Sequence, residues 1–124
     1  MPVIYAAKAK QFELPGAHFT ALASPQTGSV STAAWRVSLT PKSDGLTHQL
    51  TKEEIIIATA GSAIAEIGMD RHEISAGDAI IIPANTDFKL SNPSAQSFTA
   101  IAMFPIGTQA KIGNEPPFTP PWTV

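Results

Sequence analysis

Eleven prolines and eight glycines interrupt this chain of 124 residues at short intervals. That punctuation limits the fold more than any other feature, because ordinary helices need longer unbroken stretches. The runs between the breaks are rich in Ile, Val, Thr and Phe, which favour strands. "STAAWRVSLT" alternates, with Ala33, Trp35, Val37 and Leu39 on one face and Ala34, Arg36 and Ser38 on the other, as a half-buried strand does. "EEIIIATAG" and "DAIIIPA" are continuous apolar runs too short for helices, and they predict central strands. "AIAEIGMDRHEI" reads as a hairpin turning at Gly68-Met69-Asp70, and "SFTAIAMFP" as a last strand stopped by Pro105. Residues 1–24 hold one strand candidate, "HFTAL". The tail "EPPFTPPWTV" is too rich in proline to pair centrally, which leaves Phe118 and Trp122 to anchor it on the barrel or on a partner subunit. Seven to ten short strands in roughly a hundred residues predict an antiparallel sandwich or barrel with little helix.

Composition excludes several function classes. Eight basic and ten acidic residues, scattered along the chain, give a net charge of −2 and no basic footprint for nucleic acid or an anionic membrane. The absence of cysteine removes disulfides, thiolate metal sites and a cysteine nucleophile. No run approaches the ~20 apolar residues of a membrane-spanning helix, so a soluble, cytoplasmic protein of one domain is expected. Within it, residues 1–24 form an N-terminal segment with an edge strand, 30–105 the barrel and 106–124 an extended proline-rich tail.

Two stretches carry a resemblance. "PKSDGLTHQLTKEEIIIATAG", followed fifteen residues later by "GDAIIIPANTDFKLSN", resembles the paired motifs of the cupin superfamily. The first motif runs Gly, five residues, His, one residue, His, three or four residues, Glu, six residues, Gly; here its positions are Lys42, His48, Leu50, Glu54 and Gly61. The second runs Gly, five residues, Pro, one residue, Gly, two residues, His, three residues, Asn; here they are Gly77, Pro83, Asn85, Phe88 and Asn92. Every spacing is kept, and six of the ten positions hold the family residue. The resemblance implies an all-β, antiparallel double-stranded β-helix, the jelly-roll barrel of that superfamily.

It also implies a metal site that this chain cannot complete in the usual way. The family's metal is held by the two histidines and the glutamate of the first motif and the histidine of the second, here His48, Leu50, Glu54 and Phe88. Leucine and phenylalanine offer no lone pair, and two remaining ligands are one short of a usual catalytic set. A divalent metal is therefore not favoured, and no cofactor is expected. Apolar replacements suggest a barrel mouth that is filled, or one that admits a largely apolar small molecule. The candidate pocket residues are His48, Leu50, Glu54, Phe88, Trp35 and Phe104.

Three rivals stand beside small-molecule binding. In the first, a metal-dependent enzyme of dioxygenase or isomerase type uses His48 and Glu54 with non-standard ligands, His72 being the most plausible third. In the second, a metal-free isomerase or epimerase uses His48 as general base; Tyr5 is the sole tyrosine available as its acid, and it lies in the N-terminal segment. The third is a structural or interaction module with a packed interior. A carboxylate buried at Glu54 must be either paired or protonated. A homodimer is expected, with the terminal segments covering exposed sheet edges.

Overall fold

Strand alternation around a shared apolar interior organises the whole molecule. The computed structural model describes residues 2–124. Its strands are β1 (Gln11–Leu14), β2 (Ala17–Ala23), β3 (Thr32–Leu39), β4 (Gln49–Leu50), β5 (Glu54–Ala60), β6 (Ser62–Ile67), β7 (Asp70–Ser75), β8 (Ala79–Ile82), β9 (Phe88–Ser91), β10 (Phe98–Pro105) and β11 (Ala110–Lys111). A six-stranded antiparallel sheet runs in the order β1-β2-β3-β10-β5-β8. Facing it is a three-stranded sheet, β7-β6-β9. The bridges Ser43↔Asn92 and His48↔Phe88 extend this second sheet through residues 43–50, and β4 pairs with β11 beyond them. The two sheets enclose one core, to which β3 contributes Ala33, Trp35, Val37 and Leu39 as its alternation requires. The all-β jelly-roll expectation is met.

Four local expectations change. Residues 11–14 form a second N-terminal strand, β1, which pairs with β2. The hairpin turn is the two residues Gly68 and Met69, since Asp70 already pairs with Ile67. After the expected last strand comes β11, two residues long and held by β4. The run "DAIIIPA" forms β8, which is an edge strand rather than a central one, with Ile81 pointing outward and 61% exposed.

The four motif positions that specify glycine share one backbone conformation. Gly61 and Gly77 have φ of 77° and 95°, while Lys42 and Asn85 are the two non-glycine residues with positive φ among the described residues, both at 58°. Asparagine visits this left-handed region with ease and lysine seldom does. The motif therefore keeps its turns even where it has lost its glycines.

The proline-rich tail folds back on its own barrel. A short 3₁₀ turn, Pro121–Thr123, presents Trp122, whose ring stacks on Phe19 with centroids 3.8 Å apart and 7° between planes. Phe12 and Trp35 flank the stack. The indole N–H is buried with no acceptor, so the anchoring comes from apolar contact. Phe118 bridges to Ala110 and leaves much of its ring in solvent. Trp122→Ala is expected to cost about 2–3 kcal/mol of unfolding free energy, read from urea denaturation; a loss below about 0.5 kcal/mol would show the tail to be unanchored.

Candidate functional site

His48 enters the site by pairing. It exchanges two backbone hydrogen bonds with Phe88, each 2.9 Å, and residues directly opposite in an antiparallel pair project from the same face. Their rings meet edge to face with centroids 5.3 Å apart. Leu50, two residues beyond, shares that face. The structure thus brings His48, Leu50 and Phe88 to one face. Leu50 and Phe88 are only 4% and 3% exposed and belong to the central core. Trp35 and Phe104 lie in the same core, packed edge to face at 4.7 Å.

Glu54 opens β5 in the six-stranded sheet, across the core from His48, and pairs with Ile82 on the neighbouring strand β8. It alternates with the buried Ile56 and Ala58, so its side chain is directed inward and is 5% exposed. Among the described residues the ion pairs are His18–Glu13 and Lys89–Glu66, and neither involves it. Burial alone pushes the Glu54 carboxyl up to about 8, because the apolar surroundings disfavour its charged form. Of the two options for a buried carboxylate, the chain adopts protonation: at neutral pH Glu54 is a carboxylic acid.

The imidazole of His48 is fixed by a local contact. Its Nδ1 lies 2.8 Å from the Leu46 carbonyl oxygen, which can only accept, so Nδ1 donates and the neutral ring presents its lone pair at Nε2. His48 also borders a cleft of about 280 Å³ with Thr47, Gln49, Asp87, Lys111 and Gly113. Gln49 Nε2 donates to Asp87 Oδ1 at 2.9 Å across it. A second cleft, of about 310 Å³, runs between the N-terminal segment and the tail; Tyr5 borders it with Phe12 and Pro121. Leu50, Glu54, Phe88, Trp35 and Phe104 border neither cleft.

The residues present do not fit the family's metal. Leu50 and Phe88 fill two of its four ligand positions with packed hydrocarbon, and among the described residues no three His, Cys, Asp or Glu side chains are grouped to hold an ion. His72 is exposed on β7, the edge strand of the smaller sheet, opposite Ala65. Tyr5, the candidate acid, borders the other cleft and not that of His48. Asp87, Gln49 and Lys111 were missed by sequence reasoning. Asp87 adjoins a motif position, but Lys111 reaches the cleft through the β4–β11 pairing, which leaves no local mark. Asn92, the last residue of the second motif, is wholly buried. Its Nδ2 donates to the carbonyls of Leu39, Thr40 and Gln96, and its Oδ1 accepts from Ser94, which is a structural role.

Solved structures share this architecture at low identity. The polyketide cyclase RemF from Streptomyces resistomycificus superposes with a TM-score of 0.79 at 17% identity, covering 94% of this chain and 87% of its own. A sugar phosphate isomerase of the cupin superfamily from Silicibacter pomeroyi gives 0.73 at 16% identity, covering 92% of this chain and 83% of its own. KdgF from Halomonas sp. gives 0.72 at 18% identity, covering 83% and 93%. These likenesses concern the fold. No curated protein matches the sequence, and no helix among the described residues is long and apolar enough to cross a membrane. The cupin domain family model matches residues 35–104, more than half of the chain and both motifs, so this protein belongs to the cupin family.

Proposed function

We propose that this cupin is a cytoplasmic, homodimeric binding protein that uses no metal, and that its ligand is a small hydroxylated organic acid held in the cleft beside His48 rather than inside the barrel. One observation carries the reading: of the six pocket residues picked from the sequence, only His48 borders either of the two clefts described above, while Leu50 and Phe88 are packed in the core. Of the two options left by those apolar replacements, a filled mouth is the better supported. The cleft's volume falls just below the ~300 Å³ at which the range for small-molecule sites begins, so its ligand is small. Lys111 offers a cation for a carboxylate, and Asp87 and the Nε2 lone pair of His48 offer acceptors for hydroxyl groups.

The test is an NMR titration with gluconate. Saturable shifts are expected at His48, Asp87 and Lys111, with affinity reduced at least about fivefold in Lys111→Ala, as for the loss of a charge-assisted hydrogen bond. Shifts centred on Leu50 and Phe88, or no saturation at millimolar concentration, would overturn the proposal.

A metal-free isomerase is the second reading. It draws support from two groups: burial favours the acid form of Glu54, and the Leu46 carbonyl at His48 Nδ1 leaves Nε2 to meet a substrate. It requires a turnover that both His48→Ala and Glu54→Gln abolish; turnover unchanged in either variant rules it out.

A further inference from the structure

The cleft between the N-terminal segment and the tail shares no lining residue with the one beside His48. Its walls come from residues 3–10, from β1 and β2 through Phe12 and Ala21, from the 3₁₀ turn Pro25–Thr27, and from Pro121 of the tail. These walls are tied together. Ala21 N donates to the Lys10 carbonyl at 3.0 Å, and Lys10 Nζ donates to Gln26 Oε1 at 3.4 Å. Pro2 packs so closely on Gly28 that a Cβ there would come within 3.0 Å of its ring, and Trp122, next to Pro121, is stacked on Phe19. The space is therefore part of the fold rather than a gap under a loose end. At about 310 Å³ it falls just inside the range for small-molecule sites.

Its lining divides into hydrocarbon and hydrogen-bond donors. Val3, Ile4, Phe12, Ala21, Pro121 and Val124 make most of it apolar. Val3, Ile4, Tyr5 and Val124 also rank among the exposed large hydrophobic residues, and all four gather at this one opening. On the polar side, Lys8 and Lys10 offer ammonium groups that can only donate. Neither is ion-paired with a carboxylate among the described residues. Gln26 has its oxygen engaged by Lys10, which leaves its amide NH₂ as a donor, and the Tyr5 hydroxyl can donate as well. The Thr27 hydroxyl is already spent, accepting from Ser24 N and donating to the Leu22 carbonyl. No Asp or Glu borders the cleft, although acids outnumber bases ten to eight in the chain. An apolar slot edged by donors and cations is complementary to a ligand with a hydrocarbon body and an anionic end.

Size and neighbours narrow that class. At ~30 Å³ per non-hydrogen atom, the share of a water molecule in the liquid, the cleft holds about ten. Phe12 belongs to an aromatic cluster with Trp122 and Phe19, so a ring entering beside it gains edge or stacking contacts that an alkyl chain does not. We propose that this cleft is a second ligand site, for a small aryl carboxylate whose ring lies against Phe12 and Ala21 and whose carboxylate pairs with Lys8 and Lys10. It stands or falls independently of the hydroxy-acid site beside His48.

An NMR titration with phenylacetate, which has the required size, tests it, with neutral 2-phenylethanol as the matched control. Saturable shifts are expected at Lys8, Lys10, Phe12 and Ala21, with a dissociation constant of about 1 mM or tighter, well inside the ceiling for a ligand of this size. The alcohol should bind at least about tenfold more weakly, for want of charge-assisted hydrogen bonds. Lys8 and Lys10 are both exposed, so the double variant Lys8→Ala, Lys10→Ala should keep the wild-type circular dichroism spectrum while losing the preference for phenylacetate over the alcohol. Equal affinity for acid and alcohol in the wild type, a preference that survives the double substitution, shifts centred on His48 and Lys111, or no saturation by about 10 mM would each overturn the proposal.

Discussion

Replacing Glu54 with leucine should make the protein more stable than the wild type at about pH 9 and should flatten the dependence of stability on pH. In the folded chain burial holds the Glu54 carboxyl at about 8, against an ordinary value of 4.5. Below pH 4.5 both the folded and the unfolded chain carry the proton, and the residue costs nothing through titration. Between 4.5 and 8 the folded chain keeps a proton that the unfolded chain has released, so stability falls as pH rises. Above 8 the loss is complete. At ~1.4 kcal/mol per pH unit it amounts to roughly 5 kcal/mol as an upper bound. Leucine cannot titrate, so wild type and variant should diverge steadily across this window in urea unfolding. Parallel profiles would mean that Glu54 is solvated or paired.

Asn92→Ala should cost about 3 kcal/mol, a large share of the 5–15 kcal/mol by which domains of this size are stable. The buried amide donates to Leu39, Thr40 and Gln96 oxygens at 3.3, 3.2 and 2.7 Å and accepts from Ser94 N and Oγ at 3.1 and 2.8 Å. It ties the end of β3 to the loop that leads into β10. Alanine leaves those carbonyls unmatched around a small void. Asn92→Asp keeps the shape but turns a carboxylate towards three carbonyl oxygens, and should be at least as damaging. A loss under about 1 kcal/mol in urea denaturation of either variant would show that water or neighbouring groups replace the amide.

Much of this architecture was legible because side-chain patterning and turn chemistry are local. The alternation around Trp35 gave β3 its inward face, and the motif spacing put His48, Leu50 and Phe88 together. The motif's turns are kept at Lys42 and Asn85, both at positive φ, although neither is glycine. β1 escaped notice because "QFEL" on a sheet edge half-buries Phe12 alone, which leaves no apolar run to read. β8 was misplaced because a run of isoleucines reports burial on both faces without saying whether the covering layer belongs to the same chain. The site was the least legible part. Whether Leu50 and Phe88 line a space or fill it depends on volumes contributed by both sheets, and the pairing that carries Lys111 to the cleft spans some sixty residues of sequence.

The central claim is that apolar packing at two ligand positions has left Glu54 as a neutral acid with no metal to serve. It is tested most directly by following the Glu54 side-chain carboxyl carbon by NMR across pH, alone and with equimolar zinc. The account predicts a midpoint of about 8, unchanged by zinc. A midpoint near the ordinary 4.5, or one that zinc pulls downward, would contradict it.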